Sequence, residues 1–370
     1  MVRTTRVLIL IFAVAGCGSS PGGGPGGGGS STTAGWKMVV SSGSSLVSPG
    51  SNGGVTNGPV SGEFAVTFLD ANDGWAVGNL GEILKTTDGG QSVTAMPTPT
   101  SGTLYDVFAV SSTEVWIAGK DSSGSSIWKS TSGGSTWSQE INTASLSSSS
   151  IPANRVDTYA DRIQRLLVTP SGAVAAVGRV GNDAYFILLR DATTGDWYEF
   201  DNFATGHNDI LWGITAVAGN PQDLLAVGNN GLVLVSVNGG TRWIVENSGT
   251  SQALYKVACH GPTCLAVGAG GTAILSRDGG ATWNALITGT SADLTAVAFS
   301  PSSSTVWVGG DGGVILRSTD LGATWKAQDT HTIFPIQDIF MVSDTVGWAA
   351  SAFIVTNQGG LLMTNSGGEE

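Results

Sequence analysis

One eight-residue phrase recurs along the chain, and it constrains the fold more than any other feature. Three of its seven copies read Ser276-Arg-Asp-Gly-Gly-Ala-Thr-Trp283, Ser318-Thr-Asp-Leu-Gly-Ala-Thr-Trp325 and Ser130-Thr-Ser-Gly-Gly-Ser-Thr-Trp137. Looser copies run Thr86 to Val93, Arg190 to Trp197 and Ser236 to Trp243, and a last one is cut short at Gly368 by the end of the chain. Upstream of each lies an apolar run broken by glycines, such as Leu265-Ala-Val-Gly-Ala-Gly-Gly-Thr-Ala-Ile-Leu275. Self-similarity at a period of about 40 to 46 residues means a repeat architecture, in which each unit buries its face only against a neighbour.

Each repeat reads as four short strands. Strand A opens on Leu or Ile, as in Leu104 to Val110 and Leu294 to Phe299. Strand B is of the Trp-Ala-Val-Gly type, a Gly- or Asn-rich turn follows, and strand C is of the Ile-Leu-Lys-Ser type. The recurring phrase then turns the chain into strand D at Thr-Trp. Short, evenly spaced strands rich in Val, Ile and Trp, with turn residues that accept positive φ, predict an all-β fold. The expected architecture is a seven-bladed β-propeller of four-stranded antiparallel blades. The seventh repeat lacks a strand D, whereas Gly35-Trp36-Lys37-Met38-Val39-Val40 looks like a strand D without a blade. We expect it to complete blade 7, close the ring and leave no open strand edge.

The N-terminus carries Arg3 and Arg6, an apolar run Val7 to Ala15, and Cys17. This reads as a secretory signal over 1–16, too short to span a membrane. Ala13-Val-Ala-Gly-Cys17 resembles a bacterial lipobox, which implies lipidation of Cys17 and a place at the outer membrane or cell surface. Residues 17–34 are almost all Gly, Ser, Pro and Thr and read as a tether, leaving 35–370 for the propeller. Residues 41–62 read as a long surface loop. Net charge is −12, which argues against nucleic acid as a partner. Cys259 and Cys264 flank a short hairpin and, in an exported chain, are expected to form a disulfide. Their Cys-His-Cys grouping with His260 supplies too few ligands for a metal site.

The phrase matches the Asp-box, or BNR, repeat. The whole period resembles the photosystem II stability/assembly factor-like β-propellers over about residues 64–370 plus Trp36. Asp88, Asp278 and Asp320 are read as structural, accepting hydrogen bonds from their own turns. Trp137, Trp197, Trp243, Trp283 and Trp325 are expected to bury aromatic surface between blades. The resemblance implies a scaffold that aids assembly of a membrane complex through a basic, Arg-rich patch. This chain departs from it in being acidic, with no arginine cluster evident along the sequence.

Glycoside hydrolysis is the alternative. A sialidase would need three convergent arginines and a Tyr with a Glu partner, and no such set is recognisable. Asp106 and Asp338, at matching positions of strand A in blades 2 and 7, are the one carboxylate pair worth testing as glycosidase residues. The second register position of strand A reads Val66, Asp106, Arg165, Gly213, Lys256, Ala296 and Asp338, and the position before it supplies Tyr105, Trp212, Tyr255 and Gln337. These charged and aromatic residues around a channel mouth suit a protein or peptide site. The insertion from Ile141 to Arg162 is a second candidate surface. The sequence therefore predicts a monomeric, non-catalytic binder of an envelope protein, with no cofactor and no metal.

Overall fold

The computed structural model describes residues 35–41, 65–89, 92–143, 162–180, 184–201, 209–217, 222–353 and 358–369. Seven four-stranded antiparallel sheets form the blades of a β-propeller. Strand A is Ala65–Phe68 in blade 1, Thr103–Ala109 in blade 2, Arg162–Val168 in blade 3 and Leu211–Ala216 in blade 4. It is Leu254–His260 in blade 5, Leu294–Phe299 in blade 6 and Ile336–Met341 in blade 7. In blades 1 to 6 strands B, C and D follow in chain order. In blade 7 the outer strand is Lys37–Ser41, which pairs with Gln358–Thr364 from Lys37 opposite Met363 to Ser41 opposite Gly360. The N-terminal strand thus closes the ring.

The core lies between blades. Trp75, Val77 and Ile83 of blade 1 cluster with Leu104, Val107, Val115, Ile117 and Trp128 of blade 2. The same arrangement recurs around the ring, and Trp36 joins the cluster between blades 6 and 7. The deepest aromatic burial differs from expectation. Trp75, Trp116, Trp307 and Trp348 of strand B, with Trp36, are fully buried. Of the turn tryptophans only Trp243 is buried, while Trp137, Trp197, Trp283 and Trp325 are half-buried at the edges of the inter-blade clusters. They open the outermost strand, so one side of each ring stays near solvent. The strand-B indoles also pin neighbours together. Trp75 Nε1 donates to Gly133 O at 3.1 Å, and Trp307 Nε1 donates to Gly367 O at 3.0 Å, each reaching the turn of the next blade.

The recurring turn is held by its own side chains. Asp278 accepts from Ser276 Oγ at 2.7 Å, Thr282 N at 2.9 Å and Thr282 Oγ1 at 2.6 Å. Asp320 makes the same set with Ser318 and Thr324, and Asp88 makes it with Thr86 and Ser92. Gly280 sits at φ +98°, and a Cβ there would lie 2.3 Å from Leu225 Cδ1. The turn therefore demands glycine for both conformation and space. Cys259 and Cys264, opposite one another on strands A and B of blade 5, form a disulfide.

The signal segment, Cys17, the tether and most of the loop at 41–62 lie outside the described residues, as do residues 144–161 of the insertion. Among the described residues no helix is long and apolar enough to cross a membrane.

Candidate functional site

Strand A carries a β-bulge near its start in blades 2 to 7. The inserted residues are Tyr105, Gln164, Trp212, Tyr255, Thr295 and Gln337. A bulge places two residues opposite one and re-aims the side chains that follow. The four residues expected one position ahead of the inner ring, Tyr105, Trp212, Tyr255 and Gln337, are thus the bulge residues. In blade 1 the described part of strand A begins at Ala65, past the place where the shift falls in the other blades. There Ala65, not Val66, pairs with Val77, the equivalent of Ala118 opposite Asp106 and Val267 opposite Lys256. The inner ring is therefore Ala65, Asp106, Arg165, Gly213, Lys256, Ala296 and Asp338, one residue off the sequence reading in blade 1.

Four charged residues of this ring interact across the axis. Lys256 Nζ lies 2.9 Å from Asp338 Oδ1, an ion pair from blade 5 to blade 7 that passes the small Ala296 of blade 6. Asp338 Oδ1 also accepts from Ile339 N at 3.1 Å. Asp106 Oδ2 accepts from Leu166 N of blade 3 at 2.7 Å. Burial pushes the Asp106 carboxyl above its usual range, an effect that Asp338 reinforces and that Arg165, Lys256 and the Leu166 amide oppose. Both carboxylates are more than nine-tenths buried and engaged internally. Glycoside hydrolysis needs carboxyls that flank the bond they cleave. These two serve the ring itself.

The sequence reading missed an arginine cluster, and the bulge explains why. Strand alternation alone would send Arg162 and Arg165 to opposite faces. The extra residue, Gln164, restores parity: Arg162 pairs with Arg179 and Arg165 with Val177, so all three arginines share one face. Burial, with the charges of Arg179 and Arg165, lowers the Arg162 guanidinium to about 10. Arg162 stacks on Tyr105, with 3.8 Å from its guanidinium carbon to the ring centre. Arg165 Nη1 donates to Tyr105 O and Gln164 O, both at 3.1 Å. Burial raises the Tyr105 phenol, against a hydrogen bond from Thr103 and the charge of Arg179. Among the described residues no carboxylate acts on that phenol.

The aromatic part of the mouth continues on blades 4 and 5. Trp212 meets Tyr255 edge to face at 5.9 Å and donates from Nε1 to Asn229 Oδ1 at 2.6 Å. Tyr255 OH donates to Asp293 Oδ2 at 3.4 Å, and burial with the charges of Asp293 and Asp311 raises this phenol. Among the described residues no three His, Cys, Asp or Glu side chains group as a metal site.

No family model and no curated protein matches the chain. Solved structures do. A structure of YCF48 bound to a D1 peptide superposes with a TM-score of 0.60 at 20% identity, covering 90% of this chain and 96% of that one. YCF48 from Cyanidioschyzon merolae gives 0.60 at 18% identity, with 90% and 99% covered. A GH74 enzyme from Niastella koreensis gives 0.43 at 14% identity over 77% and 54%, and carries no argument. At these identities the likeness shows the propeller fold and nothing finer.

Proposed function

We propose that this chain is a non-catalytic scaffold that binds a carboxylate-bearing segment of an envelope protein at the propeller mouth, and so assists assembly of a membrane complex. The observation that carries this reading is the convergence of Arg162, Arg165 and Arg179 beside Tyr105, in a chain of net charge −12. Clustered guanidiniums suit a carboxylate, which they bind through paired charge-assisted hydrogen bonds. A propeller of the same shape has been solved with a bound peptide, which supports a peptide as the ligand class. Lipidated Cys17 and the tether of residues 17–34 hold the propeller at the outer membrane or cell surface. The anchor is tested by incorporation of labelled palmitate, lost in Cys17→Ala.

The binding test is fluorescence anisotropy of short peptides ending in acidic residues, with the full chain. Arg162→Gln with Arg179→Gln is expected to weaken binding at least about tenfold, and added salt to weaken the native protein's binding. Crosslinking in cells, from the mouth to one dominant envelope protein, identifies the partner. Peptides that bind nowhere, or that bind the double variant equally well, overturn the reading. The same three guanidiniums also favour a second reading, capture of a carboxylated glycan. Binding of uronate- or sialate-bearing oligosaccharides in place of peptides would establish it.

A further inference from the structure

We infer that blade 6 holds a second anchor for the bound segment: a groove that takes an apolar side chain with a lysine or arginine beside it. The inference rests on the peptide-binding reading and adds the chemistry of the ligand's other end. The groove has a volume of about 560 Å³ and is lined by Thr290, Gly312, Gly313, Ala327, Thr330 and Ile333, among others. It lies between the D–A loops on either side of blade 6, over that blade's outer strands. The loop is internally satisfied: Thr330 Oγ1 donates to Gly313 O at 2.8 Å, and His331 N donates to Asp329 Oδ1 at 3.0 Å. Its apolar side chains are not. Ile333 is 79% exposed, and Ile287 on the facing loop is 90% exposed. Two large aliphatic side chains held out beside a concave surface mark a place where something apolar docks.

Charge selects the occupant. Asp311 directly precedes Gly312 of the groove's lining, and its backbone N donates to Asp293 O at 2.9 Å. Asp293 is engaged at both oxygens, accepting from Gly270 N at 2.8 Å and from Tyr255 OH at 3.4 Å, so Asp311 is the carboxylate that faces solvent. The Asp311 side chain is exposed and makes no ion pair among the described residues. Burial and the Asp293 charge hold its carboxyl above the usual range. A bound ammonium or guanidinium would relieve that repulsion. Blades 3 and 6 stand three steps apart in a ring of seven, as far as two blades can be. The face that carries the D–A loops is therefore polarised: arginines on blade 3, Trp212 and Tyr255 between, and Asp311 with an apolar groove on blade 6. The chain's own residues 18–34 hold no large apolar side chain to fill the groove. The occupant is an extended partner segment with an acidic end and a basic-apolar end.

The test uses the full chain and two labelled probes. One peptide carries only an acidic terminus. The other adds, through Gly-Ser linkers of graded length, a Leu-Lys pair. The pair is expected to strengthen binding about tenfold at one linker length, and Asp311→Lys or Ile333→Ser to remove that gain. Neither exposed change should alter binding of the acid-only probe. If the acid-only probe binds through the arginines but the Leu-Lys pair adds nothing at any length, this inference fails and the arginine site stands. If neither probe binds, the underlying reading fails with it. A gain seen only after residues 42–64 are shortened would assign the groove to the chain's own segment and overturn the proposal.

Discussion

At the scale of single residues, equivalent positions in different blades act as internal controls. The turn between strands B and C needs a left-handed residue, supplied by Gly270 at φ +61° and Gly312 at φ +70° in blades 5 and 6. Blade 4 uses Asn230 at φ +56°, and blade 1 places Leu80 there at φ +54°. A leucine in this region costs about 1 kcal/mol, and Leu80 is mostly exposed, so its side chain returns little packing. Leu80→Gly is expected to raise stability by about 0.5 to 1 kcal/mol in urea unfolding, and Leu80→Asn by a similar amount; a loss would show that the exposed leucine packs usefully. The charged ring makes the opposite kind of comparison. Asp338→Asn leaves Lys256 largely buried without its counter-charge and should cost about 3 kcal/mol. Asp106→Asn keeps an acceptor for Leu166 N while removing a desolvated charge, so its effect at neutral pH should stay within about 1 kcal/mol. Because the folded Asp106 carboxyl is raised, its ionised form opposes folding. That cost grows as pH climbs from the unfolded value through the folded one, and it should vanish in the Asn variant.

At the scale of elements, the turns and the bulges explain what the sequence could and could not reveal. The Ser-x-Asp-Gly-Gly-x-Thr turn is legible because all its hydrogen bonds are local: the residues that bond are the residues that recur. Hydroxyls and amides of Thr324, with Ser318 Oγ, hold the Asp320 carboxyl down at about 2, and a similar set lowers Asp278. An unfolded Asp titrates near 4. These carboxylates thus contribute stability that is complete above about 4 and is lost as pH falls toward about 2. Asp320→Asn should show a shallower fall of melting temperature across that window; the amide is tolerated in principle, since Asn238 already fills the position in blade 4. An unchanged acid slope would remove this carboxylate from the account. The candidate site was only partly legible. Asp106, Arg165, Lys256 and Asp338 could be read as one ring because matching repeat positions converge on the axis. Arg162 and Arg179 could not, since their meeting depends on a bulge, and a one-residue slip reverses which face a side chain takes. The same slip misplaced Val66. Continued without the bulge, the register of Val168 opposite Val174 would set Arg162 against Val180, so nothing in the repeat pattern brought the two arginines together.

At the scale of the whole molecule, a propeller has one seam, and here it is sealed by Lys37–Ser41. Because the core lies between blades, a blade that loses one neighbour loses much of its reason to be folded, so the seam governs the ring as a unit. Trp36 carries the seal's packing. It is completely buried among Trp307, Ile336, Ile339 and Leu362, its N donates to Asp329 O of blade 6 at 3.2 Å, and the preceding Gly35 N donates to Ser366 Oγ of blade 7 at 3.2 Å. It therefore stitches two blades at once, where the half-buried tryptophans of the inner repeats only line a junction already joined by the continuous chain. Trp36→Ala removes a fully enclosed indole and should cost about 3 to 5 kcal/mol, within the usual range for large aromatic residues in a core. Trp283→Ala, at an equivalent but half-buried position between covalently consecutive blades, should cost clearly less. Deleting residues 35–41 goes further, because it also bares the edge of Gln358–Thr364 and invites pairing with a second chain. The expected outcome is a lower melting temperature together with dimers or larger species in light scattering. A deletion that stays monomeric and melts like the intact chain would mean that the ring holds by inter-blade packing alone.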